Sequence, residues 1–218
     1  MKTISIKKIE HRINDARNIV AALDTAKAEW HMIDHVGWSS SYPYLPEVKF
    51  RIAHTGREVL LHFFVTEQEV RAETDHDNGQ VYRDSCCEFF LRPTDGGPYY
   101  NIETNCMATM LIEVGMKRGV SREKAPEKIL KGVKRWSSLA DSGRPLPTGA
   151  CTWQLALLIP ATTFYKEDIT DFSNKTMYGN FYKTGDDLKE PHYVSWSPIQ
   201  TENPDFHTPQ FFGRLIFE

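Results

Sequence analysis

Short segments of alternating or continuous apolar residues run through most of the chain and predict β-strands. Val48 to Ala53 alternates apolar and polar side chains, and the apolar segment Val59 to Val65 follows it after a turn at Thr55 to Glu58. Two such segments separated by a glycine-containing turn predict a β-hairpin. Similar patterns predict strands at Cys87–Leu91, Tyr99–Asn105, Thr109–Val114, Thr152–Ile159, Thr176–Tyr182, His192–Trp196 and Arg214–Phe217, and less regular ones at Ile4–Ile9, Glu29–Ile33 and Val133–Ser138. About eleven or twelve strands joined by Gly, Pro, Asn and Asp turns are typical of a β-sandwich or jelly roll.

Helical patterns are few and short. Asp15 to Leu23 places apolar residues on one face and predicts about two helical turns, capped by Asn14 or Asp15. Ser121 to Lys131 contains a proline that leaves room only for a short helix. Ala161 to Lys166 predicts a single turn.

The composition is that of an ordinary globular protein, with 218 residues of which 40% are hydrophobic and 25% charged. No internal repeat or low-complexity linker divides the sequence. We therefore expect an all-β fold, namely a single-domain antiparallel β-sandwich of jelly-roll or immunoglobulin-like type over residues 1–218, with a few short helical turns. Residues 1–35 are expected to form an N-terminal strand and helix extension.

Charge and hydropathy argue against two classes of partner. The formal net charge of −3 lacks the strong positive excess that proteins binding nucleic acid normally have. The longest apolar runs, Ile19 to Leu23 and Leu155 to Ile159, are far shorter than the roughly 18–20 residues of a membrane-spanning helix. The first fifteen residues lack the apolar core of a signal peptide. We expect a cytoplasmic protein if Met1 is the native start, and a secreted or periplasmic one if a leader has been removed.

Motifs for nucleotide binding, hydrolysis and metal binding are missing. The sequence has no G-x-x-x-x-G-K-[ST], G-x-S-x-G or H-E-x-x-H motif, and its four cysteines form no C-x-x-C pair. Asp75 to Gly79 resembles part of a calcium loop, but its glycine is fifth rather than sixth, which favours a simple turn. The motifs therefore predict no catalytic residue, no metal ligand and no cofactor.

Two glutamates interrupt apolar strands. Glu88 lies in the predicted strand Cys87–Leu91 and Glu103 in Tyr99–Asn105, where the neighbouring side chains belong to the core. Two carboxylates about 5–10 Å apart would suit a glycoside hydrolase, although a hydrogen-bonding role would place them in the same way.

A sugar-binding site needs such acceptors beside aromatic rings. A pyranose has apolar C–H faces that can lie on a ring, and hydroxyls that both donate and accept hydrogen bonds. Tyr82 and Phe206 each stand in a polar loop and are candidates for rings that hold a sugar.

Several segments, in the same order along the chain, resemble those of carbohydrate-binding modules of family 9, a DOMON-like group often appended to xylanases. Tyr82 to Phe90 is similar to the family's aromatic-x-Asp-Asp/Ser-x-Val-Glu-Phe/Ile-Phe segment, and Tyr99 to Asn105 to its Tyr-Tyr-x-Phe-x-x-Asn strand. Gly179 to Tyr182, Ser195 to Pro198 and Phe206 to Leu215 resemble its C-terminal blocks. The resemblance covers about residues 38 to 218 and implies a β-sandwich that binds sugars, often at a reducing end, without cleaving them.

The resemblance also implies roles for individual residues. The family's two stacking tryptophans correspond to Tyr82 and Phe206, and its hydrogen-bonding glutamate corresponds to Glu88. Glu103 takes a polar position that is commonly arginine, and Asn203 takes that of a loop asparagine that contacts the sugar. Smaller rings and an acidic residue in place of arginine predict weaker binding or a different sugar.

These observations predict a non-catalytic, lectin-like carbohydrate-binding protein. One sugar ring or chain end would lie between two aromatic rings, with Glu and Asn bonded to its hydroxyls. The predicted ligand-binding residues are Tyr82, Arg83, Glu88, Glu103, Asn105, Asn203, Phe206 and His207. A few hydrogen bonds of about 1 kcal/mol each, together with stacking, suggest micromolar to millimolar affinity. The expected partners are a mono- or oligosaccharide and, as an accessory in polysaccharide degradation, a carbohydrate-active enzyme.

Two alternatives and two structural roles remain as expectations. The alternatives are a glycoside hydrolase or sugar-processing enzyme that uses Glu88 and Glu103, and a DOMON-like interaction or heme-binding module. The resemblance implies that Trp196 is a buried structural residue. It also implies a structural calcium ion, for which the sequence suggests no ligand set.

Overall fold

The computed structural model describes residues 1–10 and 13–218, and strands dominate this part of the chain. The strands are β1 Thr3–Lys8, β2 His31–Met32, β3 His35–Val36, β4 Glu47–His54, β5 Glu58–Glu67, β6 Cys86–Arg92, β7 Tyr99–Asn105, β8 Met110–Gly115, β9 Glu123–Lys124, β10 Lys134–Ser137, β11 Cys151–Pro160, β12 Thr176–Gly185, β13 His192–Ser195 and β14 Gly213–Phe217. The helices are α1 Asn18–Thr25, α2 Glu127–Gly132 and α3 Ser138–Ser142, with 3-10 turns at Val81–Arg83, Ala161–Thr163 and Pro209–Phe211.

The strands form two layers that share β1. One layer, called here the cleft sheet, has the order β1-β14-β12-β6-β7-β8-β9, and β13 and β3 continue it beside the second half of β12. The second sheet has the order β10-β11-β5-β4, with β2 paired to β4. Thr3–Ile6 of β1 pair with β14, and Lys7 and Lys8 pair with β4, so this strand crosses between the layers.

The predicted β-sandwich is confirmed, with one difference in strand direction. Both pairings of β1 are parallel, whereas the other described strand pairs are antiparallel. Because β1 enters between the edges of two sheets, its direction is set by tertiary packing and not by a hairpin turn.

The core between the layers follows the alternation of the strands. Phe50 of β4 stacks on Phe181 of β12 with ring centroids 3.7 Å apart. Trp196 is 3% exposed and packs edge-on against both rings, which confirms its predicted place in the core. The remaining inward side chains of β5, β6, β7 and β11 belong to the same cluster.

Helix α1 covers the outer face of the second sheet. Its buried residues Ile19 and Leu23 pack with Leu60 of β5 and Leu158 of β11. The helix begins three residues later than Asp15, and neither Asn14 nor Asp15 caps it, so the predicted cap is wrong. Instead, the Asp15 carboxylate accepts a hydrogen bond from the backbone N–H of Arg17 in the turn before the helix.

The outer face of the cleft sheet carries the side chains that alternate along each strand with the inward-facing core residues. Glu88 of β6, Glu103 of β7, Glu113 of β8 and Thr184 of β12 lie on this face. Successive side chains of a strand point to opposite faces, so their neighbours in sequence build the core.

No helix within residues 1–10 or 13–218 has the length and apolar composition needed to span a membrane.

Candidate functional site

A cleft of about 340 Å³ lies on the outer face of the cleft sheet. Its floor comes from β6, β7, β8 and β12, and its walls come from the 3-10 turn at Val81–Arg83 and the loops after β8, after β12 and before β14. The lining residues are Tyr82, Glu88, Glu103, Leu111, Glu113, Arg118, Gly119, Arg122, Thr184, Asp186, Tyr193, Pro204, Asp205, Phe206 and His207. The structure thus brings together Tyr82, Glu88, Glu103, Phe206 and His207 among the residues that the sequence suggested.

Two buried glutamates face each other on the floor. Glu88 and Glu103 are directly opposite in the pairing of β6 with β7, and they are 3% and 4% exposed. Burial and the neighbouring Glu103 carboxyl raise the pKa of Glu88 well above its ordinary value. Burial also raises the pKa of Glu103, to about 7. The pair therefore holds a proton near neutral pH more readily than exposed glutamates would.

The hydrogen bonds of the pair are incomplete. Glu103 Oε1 accepts a bond from Asn101 Nδ2 at 2.8 Å, but its buried Oε2 has no partner among the described residues. Glu88 forms no hydrogen bond within that part of the chain. A buried polar atom without a partner is costly, so Oε2 is an acceptor that a ligand can satisfy.

Arg122 brings a guanidinium group to the same cleft from the loop after β8. Its side chain is 7% exposed, bonds Asn101 Oδ1 and lies over the Tyr99 ring, 4.5 Å from its centroid. Its Nε is 3.4 Å from Glu113 Oε2. Nη1 is buried and unpartnered among the described residues, so it is a donor left for a ligand. The resemblance places an arginine at position 103, whereas here a loop supplies the guanidinium.

The aromatic walls differ in how much ring surface they leave open. Tyr82 is partly exposed, and burial raises the pKa of its hydroxyl. Phe206 is only 8% exposed, because one face stacks on Tyr182 with ring centroids 4.1 Å apart. Tyr193 packs edge-on against Phe206, and burial together with the neighbouring Asp186 carboxylate raises the pKa of its hydroxyl. Tyr82 therefore offers more accessible ring than Phe206 does.

His207 is an uncharged part of the wall. Burial, together with the positive charges of Arg122 and Arg118, lowers its pKa to about 3. Its Nδ1 is 3.0 Å from the Tyr99 hydroxyl. At neutral pH the imidazole therefore does not offset the negative charge of the cleft.

Three of the suggested residues lie outside the cleft. The Asn105 amide is buried, where it donates to Thr74 O and Asp84 Oδ2 and accepts from the backbone after β7. Arg83 Nε pairs with Asp187 Oδ2 at 2.8 Å on the outer side of the turn. Asn203 is exposed beside the loop residues that line the wall.

Sequence reasoning missed several residues that line the cleft. Glu113 follows the outward parity of β8, so strand alternation could have identified it. Arg122, Asp186 and Asp205 come from loops, and no periodicity indicates where a loop side chain will lie. Tyr193 lies in a four-residue strand, which is too short for the alternation of side chains to show which face it occupies.

The implied calcium ion finds no ligand set in the described residues. No group of three or more His, Cys, Asp or Glu side chains in residues 1–10 and 13–218 is placed to hold a metal ion. The calcium-like segment is a turn in which Asp77 binds Arg135 with two bonds of 2.7 Å. Buried Asp84 accepts bonds from Arg71, Asn105 and two backbone N–H groups, which are donors and not metal ligands.

Known proteins share both the sequence and the fold of the chain. Residues 17–217 match the family described as Carbohydrate-binding family 9. A candidate carbohydrate-binding protein from Bacteroides uniformis is 46% identical and has a TM-score of 0.94, over 100% of this chain and 99% of that one. No protein of curated function gave a match.

Two further solved structures share the fold at low identity. They are of a family 9 carbohydrate-binding module from Caldicellulosiruptor kristjanssonii, in complex with glucose and with cellotriose. The glucose complex is 13% identical with a TM-score of 0.61, over 100% of this chain and 96% of that one. The cellotriose complex is 12% identical with a TM-score of 0.63, over 100% of this chain and 94% of that one.

Proposed function

The chain belongs to carbohydrate-binding family 9, and on that basis we propose that the cleft binds a mono- or oligosaccharide without cleaving it. The observation that carries this proposal is a buried acceptor and a buried donor, Glu103 Oε2 and Arg122 Nη1, both without partners among the described residues and both on groups that line one cleft. A sugar hydroxyl can donate to the first, and a hydroxyl or ring oxygen can accept from the second.

Tyr82 and Phe206 lie on the walls around these polar atoms. We propose that a sugar ring places its C–H face on Tyr82, with Phe206 lining the other side. The half-open Tyr82 ring can gain ligand contact without unpacking, whereas Phe206 mainly shapes the wall because Tyr182 already covers one of its faces. Weak to moderate affinity is expected, since little ring surface is free.

Isothermal calorimetry with glucose, cello-oligosaccharides and xylo-oligosaccharides tests the proposal. Glucose and cellotriose are the first probes because the family 9 modules of similar fold were solved with them. We expect saturable binding in the micromolar to millimolar range, and a loss of about tenfold or more in Tyr82→Ala. Tyr178→Ala, which removes a partly exposed ring outside the cleft lining, is the matched control and should bind like the wild type. Binding to no sugar, or equal binding by Tyr82→Ala and the wild type, would overturn the proposal.

Glycoside hydrolysis is a second candidate, favoured by the direct opposition of Glu88 and Glu103. It predicts release of product from a chromogenic glycoside and loss of that product in Glu88→Gln. The binding proposal predicts no product from the wild type under conditions in which calorimetry shows saturation. If the wild type releases product and Glu88→Gln does not, the binding proposal is overturned in favour of glycoside hydrolysis.

A further inference from the structure

The charges that line the cleft do not balance. The lining contains five carboxyl groups and two guanidinium groups, namely those of Glu88, Glu103, Glu113, Asp186, Asp205, Arg118 and Arg122. Arg118 Nη1 lies 3.6 Å from Asp205 Oδ1, and Arg122 Nε lies 3.4 Å from Glu113 Oε2. Each arginine therefore already faces a carboxylate, and the other three carboxyl groups form no ion pair within the described residues.

The unbalanced groups include the two most buried ones. Glu103 Oε2 is buried without a hydrogen-bond partner in residues 1–10 and 13–218, and Glu88 is directly opposite on the neighbouring strand. The uncharged His207 supplies no compensation. Arg122 Nη1 offers one free donor, which suits a hydroxyl or ring oxygen, but its charge is already countered by Glu113.

From this geometry we infer that the cleft selects sugars by charge: it binds a sugar with a free amino group more tightly than the neutral parent and rejects uronic acids. The inference rests on the proposed function. An ammonium group near Glu88 and Glu103 would favour release of the proton that the pair holds, donate charge-assisted hydrogen bonds to the two groups and pair with the resulting buried charge. A uronate would instead add a negative charge beside three unpaired carboxyl groups. Burial raises the pKa of both glutamates, as expected where a stabilising cation is missing.

Calorimetry at neutral pH with matched sugars tests the inference. The probes are glucose, its 2-amino and 6-amino derivatives, N-acetylglucosamine and glucuronate, together with the corresponding galactose series. We expect at least one amino sugar to bind about tenfold more tightly than its neutral parent, because a charge-assisted hydrogen bond is roughly twice as strong as a neutral one. N-acetylation should remove this advantage, since it removes the charge at the same position. The uronates should bind more weakly than the neutral sugars.

Variants connect the effect to the two glutamates. In Glu88→Gln, Glu103→Gln and their combination, the ratio of the affinity for the amino sugar to the affinity for its neutral parent should fall toward one, whatever the affinity for the neutral sugar becomes. Each single variant is measured as well, so the result does not depend on the double variant folding. Glu47→Gln removes one negative charge at an exposed position of the second sheet and is the matched control. It should leave the advantage of the amino sugar intact.

The outcomes separate the inference from the function beneath it. Neutral sugars that bind as well as or better than every amino sugar, or uronates that bind as well as neutral sugars, would overturn the inference and leave the proposed function standing. An amino-sugar advantage that persists in both single glutamine variants would also overturn it. If no sugar of any charge binds, the proposed function fails together with the inference.

Discussion

Glu103 occupies an outward-facing position of β7, yet 96% of it is covered by its surroundings, since only 4% is exposed. The loop that carries Arg122 and the facing Glu88 enclose it on a face that an ordinary sandwich leaves to solvent. A carboxyl group kept in such a position costs stability unless it is protonated or bound. Binding sites keep such destabilising groups because they hold a hydrogen-bond acceptor in place for a ligand.

The raised pKa of Glu103 predicts a dependence of stability on pH. The unfolded chain loses this proton near the ordinary value of 4.5, whereas the folded protein keeps it up to about 7. Between these two pH values the folded state binds more protons than the unfolded state does. The contribution of Glu103 to the free energy of unfolding therefore falls as the pH rises. Urea unfolding of Glu103→Gln should show less of this fall than the wild type between about pH 4.5 and 7. Identical pH profiles of the two proteins would contradict the assignment.

Single residues show what strand parity can and cannot predict. Glu88 and Glu103 were identifiable because each interrupts an apolar strand at an outward position. Asn105 is the last residue of β7, the strand that contains Glu103. Its side-chain amide oxygen accepts hydrogen bonds from the turn that follows, so the side chain does not line the cleft. Phe206 lies in a loop, and nothing in its neighbours indicates that Tyr182 would cover one face.

Among the elements, the longer strands were predicted closely, and two of the three shortest strands were missed. The structure extends the predicted hairpin segments by a residue or two at their ends, as in β4 and β5. The two-residue strands β3 and β9 have no pattern of their own, because their pairing depends on neighbours distant in sequence. Helix α3 was also missed, since Ser137 caps five residues that carry no long apolar stripe.

The contact between β14 and Trp196 requires glycine at position 213. A methyl group on Gly213 would lie 2.6 Å from Trp196 Cη2 and 3.0 Å from the backbone oxygen of Lys2. Gly213→Ala should therefore lower the free energy of unfolding by about 1–3 kcal/mol through overpacking, as measured by urea denaturation. Gly132→Ala is the control, because its nearest neighbour atom is 4.0 Å away, and it should be neutral or slightly stabilising. A Gly213→Ala protein as stable as the control would contradict this packing.

At the scale of the whole molecule, β1 makes the two layers continuous. It pairs with β14 at one end and β4 at the other, and α1 follows it across the second sheet. We propose that residues 1–218 form one domain, and that the N-terminal segment belongs to it. One cooperative thermal transition is expected, and two separate transitions would contradict this.

A buried ion pair also joins the layers. Lys183 of β12 and Glu67 of β5 are fully buried, with Nζ and Oε2 2.8 Å apart. Lys183 also lies 2.8 Å from His192 Nε2, and burial lowers the pKa of that histidine to about 3. Glu67 Oε1 accepts a further bond from Trp153 Nε1.

Removing one partner of this pair should be costly. Lys183→Met leaves Glu67 buried without its cation, so the free energy of unfolding should fall by about 3–5 kcal/mol. Adding Glu67→Gln should restore most of the loss. Lys131→Met breaks the exposed pair with Glu127 and should change stability by less than about 1 kcal/mol. A loss in Lys183→Met no larger than that in Lys131→Met would contradict the role of the pair.

The central claim is that a saccharide occupies the cleft on the outer face of the cleft sheet. A crystal structure of the protein with the sugar that binds most tightly in calorimetry tests this most directly. The account predicts a sugar ring against Tyr82, with a hydroxyl within hydrogen-bond distance of Glu103 Oε2 and an oxygen near Arg122 Nη1. A sugar bound elsewhere, for example in the groove beside the exposed Trp30, with the cleft left empty, would contradict it.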